Sequence, residues 1–130
     1  MIAVIGCGAR KLDHAAEARR LYVGQYFRAC LAAAEVVAPG RVFILSAKYG
    51  LIPPGQVIEP YDLTIGQPCA VWAGKVTAQA AELGVWREPV TALCGTRYAD
   101  LLAAAFRDVR RPLAGLGIGR QLQALKRMTG

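Results

Sequence analysis

The sequence predicts an α/β fold: a small three-layer α/β/α domain whose short, mainly parallel sheet has three to four strands. Short apolar runs occur at positions 2–5, 42–45 and 90–93, and each precedes a polar or glycine-bearing loop and then a helical period. These runs are almost continuously apolar, as expected for parallel strands buried on both faces. With 130 residues, 55 % of them hydrophobic, the chain is expected to form one domain over residues 1–130.

The three apolar runs define the predicted strands, and the first of them is expected at the centre of the sheet. A Pro-Gly turn at 39–40 introduces the second strand, and Pro89 introduces the third. A fourth strand is weakly indicated over 109–113, where two arginines and Pro112 interrupt the apolar pattern. Such strands, separated by helices, imply right-handed crossovers and helices on both faces of the sheet.

Five helices are predicted from apolar spacing and from residues that begin or end helices. They begin at a capping Asp13, after Gly24, at Pro68, at a capping Thr96 and near Ile118. The first is expected to end at Leu21 and the third at Gly84. Between the second and third strands, the segment 47–67 contains three glycines and three prolines and follows no period. A loop of this length in a small domain usually carries function.

Polar and glycine-bearing residues follow each predicted strand. In a parallel sheet the carboxyl ends of the strands lie at one edge, where ligands bind near the point at which strand order reverses. Basic side chains there would favour phosphate, and tyrosines would stack on a planar base. The predicted ligand-binding residues are Cys7, Arg10, Lys11, Ser46, Lys48, Tyr49, Tyr61, Gly95, Arg97 and Tyr98.

The charge balance agrees with an anionic partner. Sixteen Lys and Arg residues face nine Asp and Glu residues, which gives a net charge of +7. Such a balance favours nucleotides or nucleic acid. An alternative explanation of the positive charge is codon composition, because a GC-rich genome also produces chains rich in arginine, alanine and glycine.

Several of these residues have structural interpretations that stay open. A Gly-Cys-Gly turn after a strand is often only a tight turn, and it matches neither G-x-G-x-x-G nor a P-loop. Cys7 is interpreted either as a small filler of the core or as part of the site. The single histidine, His14, is expected to be solvated at a helix start, which argues against Ser-His or Cys-His catalysis.

The apolar runs and cysteine spacing exclude other classes of protein. No run approaches the roughly 18–20 apolar residues of a membrane span. The first residues resemble a strand rather than an export signal, so we expect a cytoplasmic, reducing environment. The four cysteines show no C-x-x-C spacing, and we expect free thiols, no metal and no cofactor. A disulfide-rich secreted domain, a membrane protein and a coiled coil are excluded, and the oligomeric state stays open.

Two carboxylates in the long segment are the candidate catalytic residues. Glu59 and Asp62 bracket Pro60 and Tyr61. Cleavage or exchange of an N-glycosidic bond needs a carboxylate beside a sugar that develops positive charge. The first hypothesis is therefore an enzyme that processes a nucleotide, a nucleobase or nucleic acid. The alternative is a binding protein without chemistry, in which the two carboxylates hold their own loop.

Two neighbouring segments of the chain match a known sequence pattern, L-S-x-x-Y-G-L-[LI]-x-P…I-x-P-Y-x-L. They run from Ile44 to Pro53 and from Ile58 to Leu63. In this pattern the chain resembles the YaaA family of bacterial peroxide-stress proteins. Blocks at 7–11, 18–27 and 95–98 are similar to compact phage and bacterial relatives of unknown function. The resemblance implies a link to DNA binding and DNA protection. The helix-hairpin-helix-like element of larger relatives is echoed only faintly at 115–119.

Overall fold

A computed structural model describes residues 1–65 and 71–130 of the chain. The strands are β1 (Ile2–Gly6), β2 (Ala16–Glu17), β3 (Val42–Ser46), β4 (Gly50–Ile52), β5 (Val57–Ile58), β6 (Val90–Leu93) and β7 (Val109–Arg110). The helices are α1 (Ala18–Leu21), α2 (Gln25–Val37), α3 (Ala73–Glu82), α4 (Thr96–Ala105) and α5 (Ile118–Thr129).

The main sheet has the strand order β4-β3-β1-β6-β7 within the described residues. Strand β1 lies at its centre and pairs in parallel with β3 and β6, and β7 extends the sheet in parallel beyond β6. The predicted mainly parallel sheet with a central first strand is confirmed. The predicted fourth strand is confirmed as β7, which stops before Pro112, a residue that cannot donate to the ladder. The antiparallel strand β4 brings the described sheet to five strands, one more than the upper expectation.

Both faces of the sheet are buried. Ala3 and Ile5 of β1 belong to the apolar cluster that includes residues of α2 and α5. Ile2 and Val4, which point to the other face, belong to the cluster that includes residues of α3 and α4. This alternation within one wholly buried strand explains its continuous apolar run and confirms the three-layer arrangement.

The prediction of a helix from Asp13 to Leu21 was largely wrong. The helix covers only Ala18–Leu21, and the preceding residues 16–17 pair antiparallel with β5. The backbone N–H of Ala18 donates to Gln56, and that of Arg19 donates to Pro54. Asp13 contacts His14 rather than capping the helix. Pairing with a distant segment therefore overrides the local capping signal.

The sequence predicted a loop without regular structure over 47–67, but the described residues 47–65 of this segment contain two short strands. Strand β4 turns back on β3 through a tight connection, and β5 pairs with β2 in a separate two-stranded sheet. Both strands are too short to produce a readable period. The predicted helix start at Pro68 lies outside the described residues, whereas the glycine at 84 does follow α3, with a φ of +74°.

The capping residue of helix α4 lies one position earlier than the sequence predicted. Gly95, not Thr96, is the capping residue, and no side chain of the described residues caps this helix. Elsewhere, none of the helices in the described parts of the chain has the length and apolarity needed to cross a bilayer.

Candidate functional site

The loops that follow β1, β3 and β6 meet at one edge of the sheet, which we call the rim. Cys7 directly follows β1, and its backbone N–H donates to the carbonyl of Leu45 in β3 at 3.0 Å. Its Sγ lies 3.1 Å from the hydroxyl of Tyr98, which belongs to the first turn of α4 after β6. The parallel pairing of the three strands thus brings together residues that lie up to 91 positions apart.

The rim contains a network of hydroxyl groups centred on Ser46. The Ser46 hydroxyl donates to the Tyr61 hydroxyl at 2.8 Å, and the Tyr61 hydroxyl lies 2.7 Å from that of Tyr22. Ser46 Oγ also accepts the backbone N–H groups of Lys48 at 3.2 Å and Tyr49 at 3.0 Å. Ser46 is completely buried, and these hydrogen bonds offset the free-energy cost of removing its hydroxyl from water.

Tyr98 can contact Cys7 because Gly6, at the end of β1, has no side chain that would occupy the place of the Tyr98 ring. A Cβ at Gly6 would lie only 3.0–3.2 Å from atoms of the Tyr98 ring. Glycine at this strand end therefore lets the ring lie against the backbone and brings its hydroxyl to the thiol. This is a structural role for Gly6 that the sequence pattern of a glycine-rich turn did not specify.

Burial favours the neutral form of Tyr22, Tyr61 and Tyr98. It raises the pKa of Tyr22 from 10.0 to about 12. Burial is also the main cause that raises the pKa of Tyr61 and Tyr98 well above the usual range. Near neutral pH these hydroxyls therefore act as hydrogen-bonding groups, each able to donate a proton to a partner, and not as phenolates.

Two lysines lie beside the tyrosine rings of the rim. Lys11 Nζ is 4.4 Å from the centre of the Tyr61 ring and 5.8 Å from that of Tyr22. Lys48 Nζ is 5.3 Å from the centre of the Tyr49 ring. All three distances are within the range of cation–π attraction, which helps to hold each ammonium group at the rim. Lys11 also donates to the carbonyl of Ala9 at 3.5 Å.

The basic side chains predicted to bind ligand carry uncompensated charge. Within residues 1–65 and 71–130, none of Arg10, Lys11, Lys48 and Arg97 forms an ion pair. The side-chain ion pairs of the described chain lie elsewhere: Asp13–His14, Glu17–Arg19, Arg41–Glu88 and Asp100–Arg111. The loops of the rim are therefore a positively charged region.

Tyr49 connects the rim to the residues of the long segment. Its hydroxyl accepts the backbone N–H of Glu59 at 3.3 Å, and its ring meets that of Tyr61 edge-on at 5.8 Å. Gln79 of α3 donates to the Tyr49 carbonyl and accepts from the Leu51 N–H, each at 2.8 Å. These contacts hold the β3–β4 turn from both sides.

Glu59 and Asp62 do not join the hydroxyl network. Both are exposed. Hydrogen bonds of Glu59 run through its backbone to Tyr49, and neither carboxylate has a hydrogen bond or ion pair with another described residue. The interpretation that these carboxylates hold their own loop therefore has no supporting contact in the described chain. The loop is held by Tyr49 and Tyr61 instead.

Sequence reasoning missed two residues that shape the site. Tyr22 is completely buried and bonded to Tyr61, although its only sequence signal was its place beside Leu21 in a motif block. Gln79 lies in α3, about thirty residues from the β3–β4 turn to which it is hydrogen-bonded. A single polar residue on a helix gives no indication in the sequence of such a distant partner. Gly95, predicted as a ligand-binding residue, lies at the rim as the cap of α4, the position that the sequence predicted for Thr96.

The described cysteines are free thiols. Cys7 is partly exposed at the rim, and Cys30 and Cys94 are buried in the core. Burial raises the pKa of Cys30 and of Cys94 to about 12. Cys69 lies outside the described residues. Among residues 1–65 and 71–130 there is no group of three or more His, Cys, Asp or Glu side chains placed to hold a metal ion.

Comparison with known proteins identifies a family without assigning an activity. A search of curated proteins and a search of solved structures gave no significant match. The model of a family of unknown function, DUF6884, matches residues 2–127, which is nearly the whole chain and includes the rim. The chain therefore belongs to the DUF6884 family.

Proposed function

We propose that this protein binds and processes a nucleotide, a nucleobase or nucleic acid at the rim. The observation that carries the proposal is the group of four basic side chains without ion pairs in the described chain, beside buried tyrosines at the carboxyl ends of parallel strands. Glu17, Glu88 and Asp100 pair with cations elsewhere in the described chain. A surface that keeps such charge uncompensated is suited to an anionic ligand such as phosphate.

In this proposal, phosphate is bound by Arg10, Lys11, Lys48 and Arg97. The N-terminal end of α4, which no side chain of the described residues caps, adds backbone N–H donors next to Gly95. Tyr49 and Tyr61 offer ring surfaces for a planar base, and Cys7, Ser46 and Tyr98 set the polar lining. The resemblance to the YaaA family, with its implied link to DNA, remains a prediction that agrees with this ligand class.

The reaction that we propose is cleavage or exchange of an N-glycosidic bond, with Glu59 or Asp62 as the carboxylate. The carboxylate would stabilise positive charge on the sugar and take a proton from the attacking water or hydroxyl. The new bond is between that oxygen and the anomeric carbon, and the C–N bond breaks as the base leaves with a proton from solvent, to which the carboxylate afterwards returns its own proton. The exposure of both carboxylates, and their lack of a partner in the described chain, support this role.

The second candidate function is nucleic-acid binding without chemistry. One observation favours it: Cys7, Ser46, Tyr61 and Tyr98 satisfy one another, and neither carboxylate reaches them. A network of this kind can orient a bound ligand without performing a reaction. The two candidates share the same ligand class and differ only in whether Glu59 and Asp62 act on it.

The test of the shared proposal is the salt dependence of binding. Affinities for a nucleoside monophosphate and a short labelled oligonucleotide are measured between about 50 and 200 mM salt. The affinity for the oligonucleotide should fall with salt, and Lys11→Gln and Lys48→Gln should each weaken binding and flatten the log–log slope by about 0.7. Arg120→Gln, which removes an exposed charge from α5, is the matched control. Salt-independent binding, or no binding to any nucleotide or oligonucleotide, would refute the proposal.

A further inference from the structure

We propose that a groove beside the rim binds one further base and phosphate, with Trp72 as the stacking surface and Arg97 as the phosphate ligand. The substrate would then be single-stranded nucleic acid rather than a free nucleotide. This inference rests on the proposed function and specifies its substrate class.

The groove has the size and lining for a nucleotide unit. It is a shallow, open groove with a volume of about 630 Å³, and the residues that line it include Ile65, Val71, Trp72, Leu101, Arg97 and Asp100. Pockets of a few hundred Å³ with an apolar lining and a few polar groups are typical of small-ligand sites. A base fits an apolar wall, and its phosphate needs a cation at the edge.

Trp72 presents its ring to this groove. Its side chain is 62 % exposed, and it lies directly before α3. Space for the indole comes from Gly74, where a Cβ would be 3.2 Å from the Trp72 Nε1 atom. By contrast, Trp86 is partly buried and flanked by the guanidinium groups of Arg87 and Arg107 at 5.7 and 5.9 Å. In the described chain, Trp72 is therefore the tryptophan whose ring is available for stacking.

The charges of the groove favour an anion. Asp100 is bonded to Arg111 at 2.7 Å, which compensates its negative charge. Arg97 forms no ion pair with any residue of the described parts of the chain. The free charge at the groove is thus a guanidinium, whose planar set of N–H donors matches phosphate oxygens.

The groove adjoins the rim at the first turn of α4. Arg97 and Tyr98 are consecutive residues in this turn, with Cα atoms about 3.8 Å apart. Tyr98 contacts Cys7 in the rim, and Arg97, which the proposed function already assigns to phosphate, lines the groove. A ligand that crosses this turn engages both places. A strand with several bases can do so, whereas a mononucleotide occupies one of them, and a duplex keeps its bases stacked on each other.

The experiment uses Trp72 as its own reporter in the full chain carrying Trp86→Phe. An oligothymidylate of about six nucleotides should quench the fluorescence of Trp72 through stacking. The substitution Trp72→Ala should lower the affinity for the oligothymidylate about tenfold and leave the affinity for thymidine monophosphate unchanged. Ile118→Ala, which removes an exposed apolar side chain from α5, should change neither affinity. Thermal melts of each variant check that the fold is intact.

The possible outcomes separate this inference from the proposed function. If Trp72→Ala binds the oligothymidylate as tightly as the parent protein, the groove subsite is refuted while the rim proposal stands. Equal binding of a matched duplex, or equal quenching by an acidic peptide, would also overturn single-stranded nucleic acid as the occupant. If neither thymidine monophosphate nor the oligothymidylate binds, both proposals fail.

Discussion

The hydroxyl of Ser46 donates a 2.8 Å hydrogen bond to the hydroxyl of Tyr61, fifteen residues further along the chain. Ser46 ends a central parallel strand, whereas Tyr61 follows β4 and β5. This bond joins the long segment to the sheet, together with the Tyr22–Tyr61 bond and the β3–β4 pairing. Glu59 and Asp62 lie on either side of Tyr61, and the Tyr49 hydroxyl also holds the backbone of Glu59. Stability and site geometry are consequently coupled at the rim.

Replacement of Ser46 by alanine should lower the free energy of unfolding by about 1–3 kcal/mol. The substitution removes the acceptor for the backbone N–H groups of Lys48 and Tyr49 and the donor to Tyr61, in a buried place. Denaturant unfolding measures the change. Thr129→Ala, whose hydroxyl bonds to a carbonyl near the C-terminal end of α5, should cost less than about 0.5 kcal/mol. Equal losses in both variants would contradict the role of Ser46.

The substitution Gly50→Ala tests the β3–β4 turn, and Gly84→Ala, after α3, is its matched control. Both have positive φ, +81° and +74°, so alanine is strained at either position by about 1 kcal/mol. A Cβ at Gly50 would also lie 2.1 Å from Gln79 Oε1, whereas nothing lies within 4 Å at Gly84. Gly50→Ala should therefore be more destabilising than Gly84→Ala by about 1–2 kcal/mol, the cost of displacing the two Gln79 hydrogen bonds.

A double-mutant cycle checks the cause of that excess. In a Gln79→Ala background the clash at Gly50 is absent, so the two glycine substitutions should cost nearly the same free energy of unfolding. An excess at Gly50 that persists without Gln79 would mean that the backbone of the turn, and not the glutamine, is the source of the strain.

Stability should decrease at alkaline pH because of the buried tyrosines. The pKa of Tyr22 is about 12 in the folded protein and 10.0 in an exposed side chain. The unfolded chain therefore releases its proton first, and the stabilisation present below pH 10 is lost progressively as the pH rises towards 12. Tyr22→Phe should reduce this pH dependence while lowering stability at pH 8, where the bond to Tyr61 is lost. Urea unfolding between pH 8 and 11 tests this, and an unchanged dependence in Tyr22→Phe would contradict it.

The core of the fold could be predicted because its signals are local. Continuous apolar runs marked β1, β3 and β6, and Gly84 marked the end of α3. The short strands β2 and β5 could not be predicted, because two residues contain no period and their pairing joins positions about forty residues apart. Asp13 illustrates the same limit: its capping signal was valid locally, but the chain around it pairs with the segment near Gln56.

The candidate site was partly predictable because topology alone places strand ends together. Cys7, Ser46 and Tyr98 were found in this way, and the structure brings them to one edge. The partners of these residues were not predictable: Tyr22 and Gln79 contribute through side-chain hydrogen bonds whose geometry no spacing rule encodes. Trp72 was not among the predicted ligand-binding residues, yet its ring lies exposed in a groove, since Gly74 gives it room.

The role of Glu59 and Asp62 decides between the enzyme and the binding protein. Glu59→Gln and Asp62→Asn keep the shape of each side chain and remove its charge. Neither carboxylate has a hydrogen bond or ion pair with another described residue, so melting temperatures should stay unchanged in both variants. Ligand affinity should hold or rise, because repulsion from phosphate is relieved. Turnover should fall about 10²-fold or more in the variant whose carboxylate takes part in the reaction.

The measurement pairs a thermal melt and a ligand titration with product analysis on nucleosides, nucleotides and oligonucleotides. Glu82→Gln, an exposed carboxylate on α3, is the control and should change none of the three quantities. If the amide variants lose stability and affinity together by about 1–2 kcal/mol, the carboxylates hold the loop after all. If, in addition, the parent protein releases no base from any substrate, the enzyme hypothesis fails. Binding without chemistry would then account for a charged rim whose hydroxyl groups already satisfy one another.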